Sequence, residues 1–166
     1  MYVIAEDIVP AAITLDLAKS HLRVTHDAED DVISAYALSA TQFVEAYSGV
    51  RLVERDVILQ ATLWDGRWRL PKGTKSLVSA SFNGDTRTDG ALVAGFLRFP
   101  DGIAVAGPCE IALRVGVAAS ADALPAAYRG PLLAALGHLY TSREGQDFPA
   151  GVYALLRGLP GGGIRF

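Results

Sequence analysis

The chain of 166 residues holds one cysteine, three histidines and no long apolar run. With Cys109 alone, an internal disulfide is impossible and a zinc site built from several cysteines is excluded, so the thiol reads as a small buried hydrophobe. No stretch approaches the ~18 consecutive apolar residues that a membrane-spanning helix needs. Met1-Tyr2-Val3-Ile4-Ala5-Glu6-Asp7 has no basic region ahead of an apolar one, and a soluble chain without a standard signal peptide and with no membrane partner is expected. Excess positive charge is lacking too. Lys and Arg number 15 against 18 Asp and Glu, a net charge of -3, whereas proteins that grip duplex DNA present a basic face to the phosphates. General DNA binding is therefore not expected, although a weakly acidic protein can surround passing DNA without holding it.

Catalytic patterns are equally scarce. Gly-x-Ser-x-Gly and the phosphate-binding Gly-x-x-x-x-Gly-Lys-Ser/Thr are absent, and Gly161-Gly162-Gly163 has neither a strand before it nor a helix after it. His21 and His26 are five apart, about 140° around a helix, too far for easy sharing of a metal; His138 lies among apolar residues and reads as structural. Glu29-Asp30-Asp31 is explained by the positive end of a helix dipole and lacks calcium-loop spacing. Glu144 and Asp147 could form a carboxylate pair for sugar hydrolysis, but such a pair needs a defined separation across a cleft. The expectation is a protein that is not an enzyme, with no catalytic residues, cofactor or metal.

What is present is hydrophobicity: 51% of residues are apolar and 20% charged, a globular composition, and the positive mean hydropathy suggests buried contacts between subunits. A chain of this length supports one core, burying roughly 70% of the surface its unfolded form exposes. Residues 1–12 read as an extended arm or short strand. Thr14 or Asp16 caps a first helix with Leu15, Ala18 and Leu22 at helical spacing, closed by Thr25 and His26. Asp27 is predicted as the N-cap of a second helix, whose apolar stripe is Val32, Ile33, Tyr36, Ala40, Phe43, Val44 and Tyr47, stopped by Gly49.

From Val50 the period changes to two. Val57, Leu59, Ala61 and Leu63 mark one face of a strand; Asp65-Gly66 predicts a hairpin turn with Arg67 to Leu70 returning. Leu77 to Phe82 forms a third strand before an Asn83-Gly84 turn. Ala91 to Phe99 and Ile103 to Ala106 supply short strands, and Glu110 to Val117 alternates again. Trp64 and Trp68 with Arg67 and Arg69 could stack single-stranded bases in a salt-sensitive complex, or could be a hairpin end packed on its own sheet. Pro125 opens a helix carrying Tyr128, Leu132, Ala135, Leu136, Leu139, Tyr140 and Arg143 and ended by Gly145; Pro131 requires either a kink or a start at Gly130-Pro131. A last helix, Pro149 to Arg157, groups Val152, Leu155 and Leu156. The fold class is thus α+β: a bundle of about four helices with an antiparallel β-rich unit inserted at about 50–118, one domain over 1–166, and a flexible arm at about 158–166. Ile164 and Phe166 beyond the triple glycine are costly to leave in water, so the arm reads as a partner-binding peptide.

Two stretches resemble the head-tail connector (adaptor) family of tailed phages and gene transfer agents. Thr14-Leu15-Asp16-Leu17-Ala18-Lys19-Ser20-His21-Leu22-Arg23-Val24, then Asp27 to Asp31 and the helix ending Glu45-Ala46-Tyr47-Ser48-Gly49, is similar to the family's "Ala-Lys-x-x-Leu-Arg" helix, acidic break and long helix. Leu124-Pro125 followed by Leu133 to Glu144 is similar to its "Pro... Leu-Tyr-x-x-Arg-Glu" helix. Pro131 and the glycine tail depart from the pattern. The resemblance implies a structural virion protein at the head-tail interface, assembled in the bacterial cytoplasm as a ring, usually of twelve copies, beneath the portal protein. A tail-side stopper or tail protein would lie on its other face, and DNA would pass through the channel without specific binding. The segment expected to reach the portal comprises Leu155, Leu156, Arg157, Leu159, Pro160, Ile164, Arg165 and Phe166. The alternative is a stopper or tail-terminator ring of the same particle, which would touch other partners.

Overall fold

The computed structural model describes residues 2–6, 8–65, 68–102, 104–142 and 147–159. In chain order these form β1 (Val3–Glu6), α1 (Leu15–Leu22), α2 (Asp30–Ser48), β2 (Arg55–Trp64), β3 (Thr74–Phe82), β4 (Asp85–Arg87), β5 (Ala91–Val93), β6 (Phe96–Arg98), β7 (Val105–Val115), α3 (Ala126–Thr141) and α4 (Ala150–Arg157). The α+β class with helices either side of an antiparallel β-rich middle is borne out. The chain divides into two compact units: residues 1–8 with 54–116, and residues 9–53 with 117–166. The sheet unit therefore takes its first strand from the N-terminal segment as well as the middle of the sequence.

In the sheet unit, five strands lie in the order β1-β2-β7-β3-β4, and β5 pairs with β6 as a separate hairpin. Alternation in β7 explains its central place: Cys109, Ile111, Leu113 and Val115 are buried while Glu110 and Arg114 point out. Val57 and Leu59 of β2 and Ala80 and Phe82 of β3 bury the same face. The expected odd-numbered stripe fails at Leu63, which is 50% exposed while Trp64 is 1% exposed. Between the pairs Ala61↔Cys109 and Leu63↔Ala106, β7 advances by one residue more than β2, a bulge at Gly107-Pro108. That bulge also lets Val105–Val115 run as one strand where two had been expected.

Two turn expectations are corrected. The strand expected to return at Arg67 to Leu70 does not form: the partners of β2 are β7 and, at Ile58 to Gln60, β1. Arg69 makes only an isolated bridge to Phe96, and Leu70 N donates to Gly95 O at 3.0 Å; Gly66 and Arg67 lie outside the described residues. Ala91 to Phe99 is not continuous, because Ala94 (φ 51°) and Gly95 (φ 82°) turn it back on itself as β5 and β6. Asn83 (φ 53°) and Gly84 (φ 95°) make the expected turn between β3 and β4.

In the helical unit, Thr14 Oγ1 accepts from Leu17 N at 3.4 Å, as expected of an N-cap. The predicted Asp27 cap is overturned. α2 begins at Asp30 after Glu29, with no side-chain cap, and Asp27 instead pairs with Lys19 at 2.6 Å. A full cation offers a charge-assisted bond, which competes well with a single backbone N–H. The α2 stripe holds except at Val32, which is 49% exposed because Ile33, a step of about 100° further round, takes the core position. Gly49 (φ 67°) closes α2, its N–H donating to Glu45 O. α3 runs from Ala126 across the buried Pro131, so the start at Gly130-Pro131 is overturned. Pro131 lies in the second turn, where its missing N–H removes one bond, and Arg129 holds the chain ahead of the helix by donating to Leu124 O and Asp122 O.

The core of this unit is rich in small residues. Ala18, Ala37, Ala40 and Ala135 are at most 2% exposed and allow close helix approach against Ile33, Val44, Leu132, Leu136 and Leu156. Buried polar groups fix the connecting chain. Thr41 Oγ1 accepts from Ala12 N at 2.9 Å, and Glu45 Oε1 accepts from Leu52 N at 2.7 Å. Val117 N and Ala118 N donate to carbonyls of Arg51 and Leu52, so the strands of chain that leave and rejoin the unit lie side by side.

Candidate functional site

The candidate partner-binding segment begins on α4. Its apolar residues recur at helical spacing, and the structure divides them. Val152 (5% exposed), Leu156 (0%) and, past the helix, Leu159 (5%) sit in the core of the helical unit. Leu155 is 47% exposed and Arg157 is exposed as well. Gly158 N donates to Leu155 O at 3.2 Å and Leu159 N to Leu156 O at 3.2 Å, which tightens the end of the helix. Pro160, Ile164, Arg165 and Phe166 lie outside the described residues. The structure thus leaves Leu155 and Arg157 each exposed on a helix whose other side is anchored by Leu156 and Leu159.

A cluster of rings that sequence reading did not assemble also ties α4 down. Phe148 stacks on Phe43 at 3.8 Å, Tyr153 meets Phe43 at 5.9 Å and Tyr47 at 5.5 Å, and His138 lies 5.1 Å from Phe148. Phe43 and Tyr47 were legible as one helical stripe; Phe148 and Tyr153 carried no spacing that named their partners.

The residues that carry the family resemblance meet in the helical unit. Lys19 of the "Ala-Lys-x-x-Leu-Arg" stretch pairs with Asp27 at 2.6 Å and Asp30 at 2.7 Å, across the acidic break. Those bonds raise the Lys19 pKa above its ordinary value, and the hydrogen bond from Lys19 lowers that of Asp27. Ala18 is buried, and Arg23 (φ 59°) closes α1. Tyr140 of the late motif donates to Glu29 Oε2 at 2.5 Å and packs edge-on against Tyr36 at 6.5 Å. These residues hold α1, α2 and α3 together, which gives their order and spacing a physical reason. Arg143 and Glu144 of the same motif lie outside the described residues.

Elsewhere, Trp64 (1% exposed) and Trp68 (6%) contact each other edge-on at 4.9 Å inside the sheet unit. Neither offers a face to a base, so the stacking-platform reading is overturned and the packed-end reading holds. Cys109 is buried as expected, its thiol donating to Ala61 O at 3.4 Å, and burial raises its pKa. His21 and His26 are exposed, and among the described residues no group of three or more His, Cys, Asp or Glu could hold a metal. Asp147 is exposed and Glu144 lies outside the described residues.

The described residues thus give a mixed α+β fold built on a helical scaffold. Residues 12–87 match the family described as phage gp6-like head-tail connector protein. The whole chain superposes on a subunit in the neck of an empty gene transfer agent particle computed with C6 symmetry, with TM-score 0.78 and 21% identity, covering 100% of this chain and 97% of that one. It also matches a subunit of the native gene transfer agent virion (TM-score 0.75, 22% identity, 95% and 93% covered). A third match is a subunit in the neck of the native particle computed with C12 symmetry (TM-score 0.73, 19% identity, 100% and 97% covered). No curated protein matches at a significant level. The resemblance to head-tail connector proteins is borne out by a family match that covers the first of the two motifs, and these similarities support a structural connector role.

Proposed function

We propose that this chain is the adaptor of a phage or phage-like particle: a non-enzymatic subunit that assembles as a ring, of twelve copies, between the portal and the tail. The observation that carries this reading is the shared fold over the full chain with a subunit of a neck computed with C12 symmetry. Net charge of -3 suits a ring that lets DNA pass without adhering to it. The portal contact is assigned to the end of the chain. Leu155 and Arg157 form its described part, and Pro160, Ile164, Arg165 and Phe166 complete it, while Leu156 and Leu159 hold its base in place. Each large apolar side chain buried there contributes about 1.5–3 kcal/mol before ordering costs, and repetition around a ring multiplies a weak contact.

The test is capture of the portal ring from the same particle by the full chain and by a chain ending at Leu159, which keeps both anchors. Binding by the full chain that the truncation reduces at least about tenfold supports the assignment. Equal binding by both removes the terminal segment from the interface. Binding to a tail-side ring and not to the portal makes the protein a stopper or tail terminator instead.

A further inference from the structure

The sheet unit carries two hairpins whose two-residue turns both need positive φ, yet they are built from different chemistry. Asn83-Gly84 joins β3 to β4 with the residue pair such a turn favours, and Asn83 Nδ2 donates to Ala106 O at 3.3 Å. Ala94-Gly95 joins β5 to β6. At φ 51° the Cβ of Ala94 is in a region L-residues avoid, and its methyl group makes no hydrogen bond in return. Val93 beside it is 54% exposed, and Ala91, Ala94 and Gly95 are exposed as well. Single exposed apolar residues need no explanation, but here an entire turn is apolar where asparagine would relieve the backbone. The base of the hairpin is basic. The Arg98 guanidinium lies 5.4 Å from the Phe96 ring centroid, and Arg69, bridged to Phe96 through the backbone, is exposed.

The first turn of α2 has the opposite character. Val32 is 49% exposed and Asp31 next to it is exposed, an apolar spot with an acidic neighbour; Asp27, ahead of the helix, is already paired with Lys19 at 2.6 Å. We propose that the β5–β6 tip of one copy seats on the first turn of α2 of a second copy, with Val93 and Ala94 against Val32 and with the basic base of the hairpin, Arg69 and Arg98, facing Asp31. This rests on the ring reading above and names its subunit contact. Because the two surfaces differ, the contact is heterologous: each copy offers a tip to one neighbour and an acidic turn to the other, and the series closes where the rotation permits. Opposite charges at the rim fix the register.

The test is oxidative cross-linking of the full chain carrying Val93→Cys and Val32→Cys, in purified form and in particles assembled with it. Cys109, 2% exposed, does not compete. A ladder of covalent multimers from the double variant, with each single variant giving none, is expected. A chain that forms rings without a ladder overturns this contact and leaves the ring reading standing; a chain that is monomeric in solution and absent from particles overturns both. A second variant, Ala94→Asn, eases the turn, so thermal stability of the isolated chain should hold or rise. Its assembly should fall about tenfold, since the amide enters the contact without a partner. Assembly at the unmodified level would overturn burial of the tip.

Discussion

The two units reach a dry interior by different means. In the sheet unit large rings fill the space: Trp64 meets Trp68, Phe82 and Phe99 with centroids 4.9–6.1 Å apart, over a face of branched residues from β2 and β7. In the helical unit several contact positions are alanines, and buried Thr41, Glu45 and Ser48 accept hydrogen bonds from backbone N–H groups of the connecting chain. The first arrangement depends on side-chain volume and strand register. The second depends on close backbone approach and on satisfied polar groups, so the two respond to different injuries.

The largest expected effects are single core truncations in each unit. Leu113→Ala and Leu136→Ala, both at 0% exposure, should each cost about 2–5 kcal/mol. Both tryptophans belong to the sheet unit, so urea unfolding followed by their fluorescence reports on it, while ellipticity at 222 nm follows the helices. Leu113→Ala should move the fluorescence midpoint more, and Leu136→Ala the ellipticity midpoint more. Equal shifts in both signals for both variants would mean that the units unfold as one.

A smaller effect is expected from Glu45→Ala, which leaves Leu52 N–H without its acceptor at a cost of about 1–3 kcal/mol, read as a lower ellipticity midpoint with the fluorescence midpoint little changed. Smallest of all is the Lys19–Asp27 pair. A carboxyl held below its ordinary value of 3.8 adds stability above that pH and loses it as pH falls toward the folded value. Lys19, raised above 10.5, adds stability below that pH and loses it as pH climbs through its folded value. Asp27→Asn should therefore flatten the acid limb of the ellipticity-detected stability profile and leave the neutral midpoint nearly unchanged. An unaltered acid limb would show that the pair contributes nothing measurable.

The same contrast explains what was legible in the sequence. Periodicity identified α2, its Gly49 stop and the alternation of β2 and β7, because one buried face writes itself into the residue order. It did not place the cap of α2, since the choice of Asp27 between a backbone N–H and Lys19 is made by tertiary neighbours. Nor did it show the bulge at Gly107-Pro108 or the turn inside an apolar run at Ala94-Gly95, where local composition gave no polar marker. For the candidate site, spacing grouped Leu155 with Leu156. It could not tell that Leu156 faces the chain's own core while Leu155 faces outward, because a stripe records burial without naming what buries it.

The strand order has a consequence for how the protein is made. β2 and β3 do not pair with each other; each awaits β7, which is the last of the described strands to leave the ribosome yet fills the middle of the sheet. Until residue 115 has emerged, both long strands present bare edges to solvent, and among the described residues only the β3–β4 and β5–β6 hairpins and the β1–β2 pair are available to shield backbone. A ribosome stalled before β7 would therefore release an adhesive fragment, and the time spent translating residues 65–105 sets how long that vulnerability lasts.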